Sequence, residues 1–267
     1  MYKKSDVNII VKIGVILTYV IMLGVNIAAT ALPLNNQTTA DVSNAYPDLF
    51  APAGFTFSIW GLIYLLLLLF VLYFIGIISR DKSKIHIENY NRIGVLFIIL
   101  ALANSLWLFA WHYEKFIFSL VLMLVMLLTL IIINRMSLDQ RLSNKEKTLV
   151  KLPFSIYLGW ITVATIANIT VYLVSINWNG FNLSESLWTV IIIIVGLIIS
   201  MTYTILNKDL AYGLVIIWAY IGIFIKHISS TGFNSQYPQI MAATLVSILA
   251  LVISQGYIIL SNRQRNK

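Results

Sequence analysis

Eight long apolar stretches run through this chain of 267 residues, and they constrain its fold more than any other feature. A hydrocarbon core of roughly 30 Å is crossed by a helix of about 20 residues, which is the length scale of these stretches. They are apolar on every face, so they predict helices and exclude the alternating strands of a membrane β-barrel. The predicted spans are 9–32, 55–78, 93–111, 116–133, 152–176, 187–206, 210–225 and 240–260.

The composition agrees with a membrane location. Hydrophobic residues make up 60% of the chain and charged residues 10%. A soluble domain carries about a quarter charged residues and has no place for so much apolar surface. The chain is therefore predicted to be an all-α integral membrane protein with about eight spans. The stretch 210–225 is short and closely follows its predecessor, so the sequence alone leaves open a re-entrant segment and a total of seven spans.

The basic residues give the predicted orientation. With eight spans, Lys115 and Lys226 fall on one side of the membrane, and the other 16 of the 18 Lys and Arg residues fall on the opposite side. Basic residues accumulate on the cytoplasmic side, so both termini are predicted to be cytoplasmic in a multi-pass cell-membrane protein. The net charge of +8 is thus explained by topology, and nucleic-acid binding has no support.

The first apolar stretch requires a choice between a helix and a signal peptide. It ends in Ala-Thr-Ala at 29–31, which resembles a cleavage site. Its length is nearer 20 residues than the roughly 7–15 of a signal-peptide core, which favours a retained helix. The connection 33–54 that follows contains Pro33, Pro47 and Pro52, which stiffen it, and no Lys or Arg. A loop this long between membrane helices is often functional.

Reactive side chains are scarce. The chain has no cysteine and three histidines, which excludes disulfides, thiolate metal sites and thiol nucleophiles. The spans contain neither paired carboxylates nor a Ser, His and Asp arrangement. His112 beside Glu114 is the one acid–base pair, and a solvated turn explains it. The sequence therefore predicts no enzyme, no metal site and no required cofactor.

Three predicted helices carry aromatic and amide side chains at a spacing of three or four residues, which places them on one face. Facing one another, such stripes would form an aromatic-walled pocket for a flat, apolar ligand. The predicted ligand-binding residues are Phe57, Trp60 and Tyr64 in the second span, Asn104 and Trp107 in the third, and Tyr157, Trp160, Ala164 and Asn168 in the fifth. Spacing alone leaves open that the two amides are packing contacts and that Trp111, Trp178 and Trp188 lie at a membrane interface.

At these residues the chain resembles the TspO/MBR family, the tryptophan-rich sensory or translocator proteins. The segment APAGFTFSIWGLIY (51–64) is similar to the family's proline-containing approach to Trp-x-x-x-Tyr, met here by Trp60 and Tyr64. The other matches are Asn104 and Trp107 for the family's Asn-x-x-Trp, and Tyr157, Trp160, Ala164 and Asn168 for its fifth-helix pattern. Ala51 and Ile156 stand where the family has prolines, so the mouth of the site departs from the pattern.

The resemblance implies a TspO-like five-helix core over residues 1–176, with residues 177–267 forming three additional transmembrane helices. It also implies a membrane-embedded binding or sensory protein for a planar apolar ligand, a tetrapyrrole such as a porphyrin or a sterol-like molecule. The expected partners are this hydrophobic small molecule and the lipid bilayer, with a homodimer as a further candidate.

A second interpretation is an uncoupled transporter or exporter of a small hydrophobic compound. Ion coupling is disfavoured because ionisable residues are missing from the span centres. Light-dependent porphyrin breakdown, to which the family has been linked, would need only tryptophan rings beside a photosensitiser, and the sequence leaves it open.

Overall fold

The structure is a computed structural model that describes residues 7–32, 34–46, 48–79, 85–138 and 142–265, with side chains through Ser261. Pro33 and Pro47, predicted to stiffen the long loop, lie outside the described residues. Several basic residues that were used for the predicted orientation also lie outside them: Lys3, Lys4, Arg80, Lys82, Lys84, Arg141 and Lys267.

Eight helices in the described ranges are long and apolar enough to cross a membrane. Each predicted span corresponds to one of them, which confirms the all-α fold and the count of eight. They are α1 (Ile9–Ala31), α2 (Ile59–Ile75, preceded by a 3-10 turn over Gly54–Ser58), α3 (Ile87–His112), α4 (Phe116–Leu138), α5 (Asn144–Ser175), α6 (Glu185–Asn207), α7 (Leu210–Ile228) and α8 (Pro238–Arg265). A short loop helix, Thr39–Ala45, lies between α1 and α2.

Helix α7 is the stretch that the sequence left open. It has 19 residues, which at 1.5 Å per residue extend about 28 Å, close to the thickness of a hydrocarbon core. Lys208 ends α6 in the left-handed conformation, with φ 49°. Asp209 then caps α7 by accepting a hydrogen bond from the Tyr212 backbone N–H at 3.2 Å. A turn this tight explains how two full-length helices follow each other so closely in the sequence.

Helix α5 begins earlier than hydropathy predicts. Its first turns are polar, and hydropathy does not detect polar turns. Ser143 and Glu146 form a capping box there, in which the Glu146 carboxylate accepts the Ser143 backbone N–H at 2.8 Å. The same carboxylate accepts the Ile85 backbone N–H at 3.0 Å. Glu146 is fully buried, so these bonds satisfy a carboxylate that would otherwise be costly to bury.

The chain forms two compact units. The first unit consists of Met1–Val42 and Trp60–Leu158, and the second unit of Ser43–Ile59 and Gly159–Lys267. This division is one of packing. The predicted division into a ligand-binding core over 1–176 and an addition over 177–267 concerns function, and it stays a prediction.

Phenylalanine rings fill the core of the first unit. Phe70 of α2 lies 5.3 Å from Phe97 of α3 and 4.8 Å from Phe154 of α5, measured between ring centroids. All three side chains are fully buried. Gly94 of α3 lies against α1 and α2, because a Cβ there would meet the side chains of Val11 and Phe74. Helices α1, α2, α3 and α5 therefore pack together around an aromatic centre in this unit.

In the second unit, the end of the long loop packs closely against α7. Residues 49–56 are attached to α7 by three hydrogen bonds, from the Ala53 N–H to the Gly222 carbonyl at 3.0 Å, from Trp218 Nε1 to the Thr56 carbonyl at 3.1 Å, and between His227 Nε2 and the Leu49 carbonyl at 2.8 Å. Gly222 is needed for this approach, since a Cβ there would lie 2.1 Å from the Thr56 hydroxyl oxygen. The end of the long loop is thus bound to α7.

Candidate ligand-binding site

Four of the predicted site residues form a ring cluster in the first unit, defined here as Trp60, Tyr64, Trp107 and Tyr157. Trp60 stacks on Tyr64 within α2, with centroids 5.5 Å apart and planes inclined by 13°. Trp107 of α3 lies 6.1 Å from Trp60, and Tyr157 of α5 meets Trp60 edge-on at 5.7 Å. These separations are typical of attractive aromatic pairs. Trp60 is therefore the centre of the ring cluster.

A chain of hydrogen bonds runs beside the rings and joins all five helices of the first unit. The Tyr64 hydroxyl donates to Asn26 Oδ1, and Asn26 Nδ2 donates to Asn104 Oδ1 at 2.8 Å. Asn104 Nδ2 in turn donates to the Tyr157 hydroxyl at 2.9 Å, and that hydroxyl contacts the Met126 sulfur at 3.7 Å. Asn104 is fully buried, so its amide is satisfied as an apolar environment requires.

The ring cluster is accessible at one residue. Trp107 and Tyr157 are buried, Tyr64 is at the limit of burial, and Trp60 is partly exposed. The Trp107 indole N–H is buried and finds no acceptor among the described residues. An unpartnered buried donor is uncommon in proteins, and here it lies next to the ring that a ligand could reach.

The long loop covers the C-terminal end of α3. Trp111 stacks on Trp107, with centroids 5.9 Å apart, and its indole N–H donates to the Thr39 carbonyl at 3.1 Å. Asn35 Nδ2 donates to the His112 carbonyl at 3.0 Å. Trp111, which the sequence also allowed as a membrane-interface residue, is 5% exposed. In the structure it extends the stack of rings and anchors the loop.

The other four predicted site residues belong to the second unit. Phe57 meets Trp160 edge-on, with centroids 5.8 Å apart. Trp160 and Asn168 are buried, whereas Phe57 and Ala164 are partly exposed. The nine residues are thus described as one group of five, Asn104 included, in the first unit and one group of four in the second. Ligand binding by the whole set stays a prediction.

Sequence reasoning missed three members of the hydrogen-bond network, all within the first unit. Asn26 lies between Tyr64 and Asn104 and forms a hydrogen bond with each of them. Tyr19 donates its hydroxyl to the Tyr64 carbonyl at 3.0 Å, and Met126 lies against Tyr157. Asn26 had a usable signal, because a carboxamide in an apolar helix must find a partner. Tyr19 and Met126 had none, since neither stands out in an apolar span.

A comparison with known protein families identifies the family of the chain. The profile of a family described as TSPO-like protein matches residues 12–257, which include residues of all eight long helices. The chain belongs to the TSPO-like family. Neither a comparison with curated proteins nor one with solved structures finds a match. Membership of the TSPO-like family indicates, in general terms, a membrane-embedded binding or sensory protein.

The candidate site contains few reactive side chains. Its side chains offer aromatic faces, amides and hydroxyls, which stack and form hydrogen bonds. Within the described ranges, no group of three or more His, Asp or Glu side chains is placed to hold a metal ion. The ring cluster therefore suits an uncharged, flat surface with a few polar atoms at its edge.

Proposed function

We propose that this member of the TSPO-like family binds a planar, largely apolar ligand, a tetrapyrrole such as protoporphyrin or a sterol-like molecule, against the ring cluster of the first unit. The observation that carries the proposal is the position of Trp60, which is partly exposed and in contact with three other aromatic rings. A ring held on several sides presents a fixed face to a flat ligand and loses little entropy on binding.

The geometry indicates how such a ligand would approach. A flat molecule between two rings needs about 3.5–4.0 Å on each side, or roughly 7–8 Å between ring planes. Trp60 and Trp107 are 6.1 Å apart between centroids and tilted by 33°, so no layer of that thickness separates them. The ligand would stack on the accessible side of Trp60, and the rings behind it would act as support.

The polar groups provide the second part of the proposal. A ligand with carbonyl or carboxylate oxygens at its edge could accept the unpartnered Trp107 N–H. The amide of Asn104 is already used by Asn26 and Tyr157. This amide would form a hydrogen bond with the ligand after its bonds to Asn26 and Tyr157 rearrange, or it would hold the ring cluster in place.

The test is a titration of the purified protein with protoporphyrin, followed by quenching of tryptophan fluorescence. Trp60→Ala should weaken binding by about 1–3 kcal/mol, the value of a buried aromatic contact, or roughly one to two decades in Kd. Trp178→Ala, outside the nine predicted residues, is the control. Trp160→Ala tests separately whether the second-unit residues contribute.

Two results would contradict the proposal. If Trp60→Ala binds protoporphyrin as tightly as the unaltered protein and Trp178→Ala do, the ring cluster is not the site. If neither protoporphyrin nor a sterol binds to the unaltered protein, the ring cluster is a packing feature of the membrane bundle.

A homodimer remains a prediction, which mass measurement of the protein in nanodiscs would test.

A further inference from the structure

A cavity of about 380 Å³ lies in the second unit, and none of the nine predicted ligand-binding residues lines it. It is lined by residues 48–50 of the long loop, the C-terminal turns of α5, the connection to α6 and the first turns of α6. Its volume lies within the range of small-molecule sites, which is roughly 300–1,000 Å³. Several lining residues, among them Leu183 and Glu185, are exposed, so a ligand has access from outside.

The polar chemistry of the cavity is acidic. Asp48 is 5% exposed, and its Oδ1 accepts the Phe50 backbone N–H at 2.8 Å. Its other oxygen, Oδ2, is buried and finds no donor among the residues that the structure describes. Glu185 adds a second carboxylate to the lining. None of the described lining residues is basic. A buried carboxylate oxygen without a donor is stabilised by a proton or by a positively charged partner.

A lysine of α7 has its partners outside the cavity. Lys226 of α7 influences Asp48 electrostatically, but its ammonium donates to Asn44 Oδ1 at 3.1 Å and lies 5.8 Å from the Phe233 ring centroid. It does not line the cavity. Among its described lining residues, the cavity therefore has no basic side chain to neutralise Asp48 and Glu185.

Two tryptophans give the cavity a second feature that suits a cation. Trp178 and Trp188 lie 5.0 Å apart between ring centroids, with planes inclined by 55°. The Trp188 indole N–H donates to the Gly180 carbonyl, which fixes the ring, and both tryptophans line the cavity. Inclined aromatic faces beside a carboxylate are the arrangement that recognises quaternary ammonium groups.

We propose that this cavity binds the ammonium end of an organic cation with an apolar body, with Asp48 and Glu185 as counter-charges and Trp178 and Trp188 against the alkyl groups. The proposal does not depend on the planar ligand of the first unit. The same chemistry is presented by a free quaternary ammonium compound and by the choline headgroup of a phospholipid. The two sources are separated by the lipid used in the experiment.

The experiment measures binding of benzyltrimethylammonium to the full chain in nanodiscs of phosphatidylglycerol, by quenching of tryptophan fluorescence. Neopentylbenzene, in which carbon replaces the charged nitrogen, is the neutral analogue of the same shape. We expect saturable binding of the cation that is at least about tenfold tighter than binding of the analogue. Equal affinity for the two compounds, or no saturable binding of the cation, would overturn the proposal.

Variants then test the residues. Asp48→Asn keeps an oxygen that accepts the Phe50 N–H but removes the charge, and it should weaken cation binding at least about tenfold. Asp41→Asn, on the exposed surface of the same loop, removes one charge outside the cavity and should leave the affinity unchanged. Trp178→Leu is the second variant, should Asp48→Asn lower the thermal stability. Unchanged affinity in Trp178→Leu and Asp48→Asn would refute the assignment.

The choice of lipid identifies the natural occupant. Discs of phosphatidylcholine offer a choline headgroup, whereas discs of phosphatidylglycerol have no ammonium group. Weaker binding of benzyltrimethylammonium in phosphatidylcholine than in phosphatidylglycerol would assign the cavity to the headgroup, provided that this difference between the lipids disappears in Asp48→Asn. Equal binding in both kinds of disc would assign it to a free cation. Either result supports recognition of a quaternary ammonium group.

Discussion

In the first unit, Asn104 of α3 donates its side-chain amide to the hydroxyl of Tyr157 of α5 at 2.9 Å, and both side chains are fully buried. The bond joins two of the predicted ligand-binding stripes directly. Tyr157 also packs edge-on against Trp60, so the same residue connects the hydrogen-bond chain to the ring cluster.

Tyr157→Phe should therefore lower stability while leaving the ring contact in place. The substitution removes the acceptor of Asn104 Nδ2 and leaves a buried donor unsatisfied, which costs about 1–3 kcal/mol. Thermal unfolding in detergent, followed by circular dichroism, measures the effect. Tyr113→Phe, at an exposed tyrosine, is the matched control and should have no effect. Equal unfolding temperatures for the two variants would show that the bond contributes nothing.

Gly222→Ala should destabilise the second unit. The new Cβ would lie 2.1 Å from the Thr56 hydroxyl oxygen, so the loop must move away from α7 at a cost of about 1–3 kcal/mol. Gly256→Ala in α8, where nothing lies within 4 Å of a Cβ, should instead be neutral or stabilising by up to about 1 kcal/mol. Thermal unfolding compares the two. Thr56→Ala combined with Gly222→Ala should recover part of the loss, and no recovery would mean that the clash is not the cause.

The stability of the unliganded protein should fall as the pH rises from about 4 to about 7. Burial raises the pKa of Asp48 from 3.8 to about 7, so the folded state holds a proton that the unfolded state has lost, and folding becomes less favourable as that proton dissociates. Lys226 opposes this shift and Glu185 adds to it, while His227 bonds to the neighbouring Leu49 carbonyl. Urea unfolding at a series of pH values measures the slope.

The matched variants for this pH dependence are Asp48→Asn and Asp41→Asn. The first should flatten the profile between pH 4 and 7, because the buried titrating group is gone. The second should keep the slope of the unaltered protein. An unchanged slope in Asp48→Asn would assign the pH dependence to another group.

Labelling of single cysteines tests the predicted orientation, since the chain has no cysteine of its own. Ala45→Cys in the loop helix and Lys145→Cys at the start of α5 are both at exposed positions. With both termini cytoplasmic, a membrane-impermeant maleimide added to intact cells should label position 45 and leave position 145 unlabelled until the cells are lysed. Labelling of position 145 from outside would reverse the topology.

Hydropathy predicted the eight helices because the bilayer imposes a length on every apolar segment. It placed the starts of α3 and α5 too late, since their first turns are polar and are stabilised by contacts such as the Glu146 capping box. The capping box is local, but the bond from the Ile85 N–H to Glu146 joins residues distant in the sequence, and hydropathy contains no information about either contact.

The candidate site was predictable only in part. Helical spacing placed Trp60, Trp107 and Tyr157 on matching faces, and the structure brings them together. The same reasoning could not show that Asn104 bonds to Asn26, because such pairing depends on how helices rotate against one another. It also gave no sign that Trp178 and Trp188 line a cavity with Asp48. Loop residues carry no periodic pattern from which their contacts could be inferred.

The series of ring contacts from Tyr64 through Trp60 and Trp107 to Trp111 has a spectroscopic consequence. Indole rings held this close in fixed orientations couple their electronic transitions, so excitation of one ring is shared with its neighbours. Three of the seven tryptophans should therefore emit as a group, with depolarised fluorescence and a strong near-ultraviolet circular dichroism signal. Any molecule that moves Trp60 would change the optical properties of the whole group, and the protein thus contains its own reporter of occupancy.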